Sequence, residues 1–165
     1  MDQEARVHGS ASAEHPQTLR LWLRLLTCTQ LIERQVRSRL REQFGTTLPR
    51  FDLMAQLERA PHGLKMNELS RRMMVTSGNV TGVAKELVAQ GLVRRAPVPG
   101  DRRVCQIRLT PKGRRQFASM ARQHDAWIAD AFAALPDREV AALHQLLGTV
   151  KQGILAAPDR ARSID

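Results

Sequence analysis

The feature that most constrains this chain is a single change of period in its middle. Up to Ala89, and again beyond Pro111, the apolar residues recur every three or four positions, whereas "VCQIRL", Val104 to Leu109, alternates. Spacing of three to four marks one face of a helix, and strict alternation marks one face of a strand. The chain is therefore expected to be mainly helical with one small β-hairpin, in which "LVRRA" and "RRVCQIRL" flank the turn "PVPGD". The alternation predicts that Cys105, Ile107 and Leu109 share the core face, with Cys105 a small buried hydrophobe, while Gln106 and Arg108 face outward.

Before the hairpin the pattern predicts four helices. Leu19, Trp22, Leu23, Leu26, Ile32, Val36, Leu40 and Phe44 outline a long first helix stopped at Gly45. Its first third is apolar nearly all round, the mark of a helix that is deeply buried or shared with a second subunit. A shorter helix runs from Phe51 to Arg59 and is closed by Pro61 and Gly63; Met66, Leu69 and Met73 mark a third. A tight "MVTS" link then leads into the fourth, capped by Thr76 or Ser77. After the hairpin, Thr110 is placed to cap a helix with Pro111 in its first turn and the stripe Phe117, Met120, His124, Trp127. "LPDRE" breaks that helix and opens the last, with stripe Val140, Leu143, Leu147, Val150 and Ile154.

The fourth helix begins "SGNVTG", with two glycines that each cost about 1 kcal/mol relative to alanine in a helix interior. Their reason lies outside local stability. Val80, Val83, Ala84, Leu87 and Val88 form one apolar stripe, and a rotation of about 100° per residue puts Gly78, Thr81, Gly82, Lys85 and Ala89 on the opposite side. That side is small and nearly flat, with one cation, and suits close approach of the backbone to a partner.

Lys and Arg number 26 against 16 acids, for a net charge of +10. Much of the excess falls between Arg94 and Arg115, where eight basic residues accompany the single acid Asp101. Such a balance points to an acidic partner, nucleic acid or anionic membrane. No apolar run approaches a membrane span, and Met1 to Pro16 has the composition of a flexible tail without a targeting signal. Two cysteines make no disulfide framework, so a cytoplasmic location is expected. No nucleophile elbow, phosphate loop or metal motif is present, so no enzymatic activity and no cofactor are expected. The five histidines are scattered, with no pair at helical ligand spacing.

Two short helices joined by a tight link and followed by a hairpin with a basic tip form the winged helix-turn-helix plan. On this plan the glycine-bearing helix enters a DNA groove. Ser77, Asn79 and Thr81 offer donors and acceptors to base edges or phosphates, and Lys85 offers a phosphate or guanine contact. Arg102 and Arg103 at the tip suit the narrow minor groove, and Asp101, repelled by phosphates, serves as a clamp on Arg103. The competing expectation for the glycines is tight packing of the helix on a neighbour. The competing function is a non-specific architectural DNA binder, which basic charge alone would provide.

The sequence resembles the MarR family of bacterial transcriptional regulators from about Leu19 to Leu155. The resemblance rests on Asp101-Arg102-Arg103 leading through "VCQIR" to Leu109-Thr110 and Gly113, on "ELSRRMMVTSGNVTGVAKELVAQGLV", and on "LPDRE". Lys65 departs from the pattern, since relatives often place a Ser or Thr there. The resemblance implies DNA contacts from Ser77, Gly78, Asn79, Thr81, Lys85, Arg102 and Arg103. It also implies a homodimer with interleaved N- and C-terminal helices on a pseudo-palindromic double-stranded operator. The expected organisation is a flexible tail over 1–17, a helical dimerisation region over 18–48 and 111–157, and a winged helix-turn-helix over 49–110.

The resemblance further implies a repressor released by a small aromatic carboxylate or its coenzyme A thioester. "LRLWLRLLTCTQLIE" and "TTLPRFDLMAQL" look most like the branch that responds to hydroxycinnamates and benzoates. Trp22, Thr29, Phe51 and Met54 are candidate pocket residues, with Arg34 and Arg50 as candidate partners for an anionic group; core packing and a solvated basic face explain the same residues. Redox sensing through Cys28 is the alternative within the family, but the peroxide-sensing relatives place tyrosines beside that cysteine and this chain has none.

Overall fold

In a computed structural model, residues 15–98 and 101–157 are described, and they form six helices and one hairpin in the order α1 (His15–Phe44), α2 (Leu48–Glu58), α3 (Met66–Met73), α4 (Ser77–Ala89), β1 (Val93–Val98), β2 (Asp101–Leu109), α5 (Pro111–Phe132) and α6 (Asp137–Ala156). Helix α1 starts at His15, inside the segment expected to be tail; residues 1–14 lie outside the description. The chain divides into two compact units, one reaching Asp125 and the other beginning at Ala126.

In the first unit, α2, α3 and α4 pack against one another, and α2 and α4 also pack against the hairpin. Leu53, Met54, Leu57, Leu69, Val80, Leu87 and Ile107 are almost wholly enclosed there, joined by Val36 and Leu40 from α1. The α4 stripe is narrower than its sequence suggests: Val80, Ala84 and Leu87 are buried, whereas Val88 is exposed. Gly45 ends α1 with φ +59°, a left-handed conformation that a side chain would strain. Helix α3 begins directly after Lys65, whose backbone N–H donates to Glu68 Oε2 at 2.9 Å, the reciprocal half of a capping box that has no Ser or Thr as its other half.

The link between α3 and α4 is a Schellman-type turn. Met74 N–H donates to the Arg71 carbonyl at 3.3 Å and Val75 N–H to the Ser70 carbonyl at 3.2 Å. Met74 itself has φ 54°, a position usually held by glycine, and its side chain is 93% exposed. Helix α4 then starts with Thr76 at its cap position, although the Thr76 side chain makes no capping hydrogen bond.

The two strands are antiparallel, with Val93 opposite Leu109 and Arg95 opposite Ile107, and the register shifts between Pro97 and Val98. Leu64 bridges to Ile107 on the other side of β2. Two expectations for this hairpin are corrected. Cys105 is exposed, although it shares a strand face with the buried Ile107 and Leu109, because a strand face stays buried only as far as the core reaches. Gln106, expected outside, is 8% exposed and lies opposite the buried Ala96.

Thr110 caps α5 as expected: its hydroxyl accepts from Gly113 N–H at 3.0 Å and donates to the Gly91 carbonyl at 2.7 Å. A Cβ at Gly113 would run into the Leu92 carbonyl, so only glycine permits this approach of α5 to the link between α4 and β1. Lys112 adds a hydrogen bond to the Gln90 carbonyl at 2.9 Å.

The second unit contains the end of α5, where Trp127 is 6% exposed, and helix α6. No residue of α6 is buried; Leu146, Val150, Ile154 and Leu155 are between 49% and 74% exposed.

Candidate nucleic-acid interface

The local rules that build α4 also decide which side of it faces outward. Val80, Ala84 and Leu87 anchor one side to the core, and Gly78, Asn79, Gly82 and Lys85 are exposed on the other. Nothing lies within 4 Å of a Cβ built on either Gly78 or Gly82. Among the described residues of the chain, then, neither glycine packs on a neighbouring element. Thr81 is half-buried, and Ser77 opens the helix with its side chain outside the described residues.

The hairpin brings further charge. Arg94 and Arg95 of β1 are exposed, while Arg108 is half-buried, its side chain lying against Gly63. Asp101, Arg102 and Arg103 belong to β2, but their side chains lie outside the described residues, as does the clamp expected between Asp101 and Arg103. Two cations not singled out from sequence are Arg71 and Arg72, both exposed in the last turn of α3 just before the link to α4. Their signal was their position: basic residues ending the helix that leads into the glycine-bearing one.

The candidate effector residues are dispersed. Trp22 and Arg34 are exposed on α1, and the Thr29 hydroxyl donates to the Leu25 carbonyl of its own helix at 2.9 Å. Phe51 is buried, its ring centroid 5.5 Å from Phe117 and 4.9 Å from His124, and Met54 is wholly enclosed. Arg50 is already engaged, with Nε 2.8 Å and Nη2 2.7 Å from Oε2 of Glu86 on α4. Nearby, Asp52 is held above the ordinary carboxyl value by burial first and by the Glu33 charge second, with Arg37 opposing. Cys28 is exposed on α1. Among the described residues no group of three or more His, Cys, Asp or Glu is arranged to hold a metal, and no helix is long and apolar enough to cross a membrane.

With this geometry in view, the comparisons with known proteins are consistent. Residues 44–104, spanning α2 to the start of β2, match the model of the MarR family. A crystal structure of a MarR family transcriptional regulator from Silicibacter pomeroyi superposes with TM-score 0.74 at 29% identity, covering 87% of this chain and 99% of that one. The fold is that of the MarR family.

The MarR frame is shared with CouR from Rhodococcus jostii, solved bound to p-coumaroyl-CoA, at TM-score 0.70 and 22% identity over 79% of this chain and 90% of that one. Among curated proteins, the regulator PecS of Dickeya dadantii is 28% identical over 64% of this chain and 64% of its own length. The transcriptional activatory protein BadR of Rhodopseudomonas palustris is 27% identical over 68% of this chain and 65% of its own length. The chain thus covers just under two thirds of each of these two curated relatives. The family model and the solved structures thus place the likeness in the winged-helix region and in the fold.

Proposed function

We propose that this protein is a MarR-type, sequence-specific regulator that binds a pseudo-palindromic operator in double-stranded DNA as a homodimer and represses until a small effector releases it. The observation that carries the DNA-binding reading is the outward side of α4, where Gly78 and Gly82 meet nothing among the described residues and lie beside the exposed Asn79 and Lys85. Two residues each less favourable than alanine in a helix by about 1 kcal/mol are accounted for by a partner that requires close approach. A major groove floor with its phosphates is such a partner, and the charge of +10 suits it.

The homodimer is supported by the apolar side chains that single chains leave in water: Leu19, Trp22 and Leu23 on α1 and Leu146, Val150 and Ile154 on α6. Two-fold symmetry then places half-sites about one helical turn, roughly ten base pairs, apart. The proposed effector is an aromatic carboxylate or its coenzyme A thioester, a reading that rests on the resemblance of the α1 and α2 sequences to the branch described above.

The test is Gly82→Ala, assayed against a duplex selected by the wild type from a random pool. Melting temperature should hold or rise, because alanine adds helix propensity in open space, while affinity for the selected duplex falls by about tenfold or more. The wild type should prefer that duplex over random DNA by about 10³-fold at physiological salt. Gly82→Ala binding with wild-type affinity would refute close approach through α4, and equal affinity for all sequences would make the protein an architectural binder.

A further inference from the structure

Four described residues have positive φ: Gly45, Gly63, Gly91 and Met74. Gly45 and Gly91 follow the ends of α1 and α4, where the lack of a Cβ makes the left-handed conformation easy. At the matching place after α3 the chain has methionine, with φ 54°. A side chain there is strained, and packing does not offset the strain, because Met74 is 93% exposed and Val75 beside it is exposed as well. A strained, exposed apolar residue only weakens the folded chain, so the reason for it lies in a partner. The surroundings indicate which. Arg71 and Arg72 are exposed just before Met74, and Gly78 and Asn79 are exposed just after it, in the first turn of α4. Met74 thus adjoins the N-terminal end of α4, the end that a recognition helix puts into the major groove. On the base edges of that groove the one apolar group is the methyl of thymine. A thioether, a weak acceptor with no donor, has little else there to bind.

We infer that Met74 is a specificity-determining residue: its side chain packs on the methyl group of one thymine in each half-site, while Arg71 and Arg72 hold the adjoining phosphates. Glycine in its place would relieve the strain and leave the methyl uncovered. The flexible, polarisable side chain suits a contact made at the edge of the groove. The inference rests on the DNA reading above and adds to it a base contact from outside α4.

The experiment uses the full chain and the duplex that the wild type selects, remade with deoxyuridine in place of one thymine at a time in both half-sites. That change removes only a methyl group. At one such position the wild type should lose about tenfold in affinity. Met74→Gly should bind the thymine duplex more weakly by a similar factor and ignore removal of that methyl, the coupling expected of two groups in contact. Met74→Leu, which keeps an apolar side chain, should keep the preference. A purely structural role for Met74 would make Met74→Gly weaken the thymine and deoxyuridine duplexes alike. If each methyl matters equally to the wild type and Met74→Gly, the inference is overturned and reading by α4 stands. A wild type that selects no duplex overturns this inference and the DNA reading together.

Discussion

Helices α4 and α6 have similar sequences in outline and opposite fates. Each carries apolar residues at three- and four-residue spacing, yet α4 sinks Val80, Ala84 and Leu87 into its own chain, and α6 buries no residue at all. Periodicity says that a helix needs a covering surface. It does not say which chain supplies the cover. In α4 the cover comes from α2, α3 and β1, and for α6 the proposed cover is a second copy.

The largest expected effect comes from the two sides of this contrast. Leu87→Ala removes a wholly enclosed side chain and should cost about 2–5 kcal/mol in urea unfolding. Ile154→Glu alters a side chain that is 69% exposed in the single chain. It should convert dimer to monomer in analytical ultracentrifugation and remove any dependence of melting temperature on protein concentration. A dimeric Ile154→Glu with unchanged melting would break the comparison, because α6 would then need no second chain.

A smaller effect sharpens the comparison within the first unit. Met74 occupies a left-handed position, which costs an L-residue roughly 1–2 kcal/mol, and its side chain is almost wholly in water, so it gains little from packing. Met74→Gly should raise stability by about 0.5–1 kcal/mol after the entropy cost of glycine is deducted. A loss of stability would mean that the side chain makes a contact which the exposure does not show.

The smallest effect concerns Asp52. Its folded form holds the proton more tightly than the unfolded form, whose ordinary value is 3.8, so stability falls as pH rises from there through the raised value. Asp52→Asn should remove this fall and raise the melting temperature at pH 7 by about 1–2 °C, discounted for the group's partial exposure. Identical pH profiles for the two proteins would show that burial of Asp52 is relieved in solution.

Much of this architecture was legible from local rules. Gly45 stops α1, Thr110 caps α5, and the alternation beyond Leu92 is a hairpin, because each depends on residues close together in sequence. Features set by distant contacts were not legible. Alternation groups Cys105 with Ile107 and Leu109 but contains no information on where the core ends, so the exposure of Cys105 was missed. Nothing local marks Met74 as left-handed; the geometry of the turn between two packed helices imposes it. The outward side of α4 was readable from rotation alone, whereas the engagement of Arg50 by Glu86 joins residues that no periodic pattern relates.

The Thr110 hydroxyl closes the hairpin at its base. One oxygen clasps Gly91, just beyond the end of α4, to the first turn of α5, and Gly113 presses the clasp shut against Leu92. The hairpin leaves and returns through that buckle. The two helices that flank the hairpin are thus fastened to each other at its base, independently of its tip.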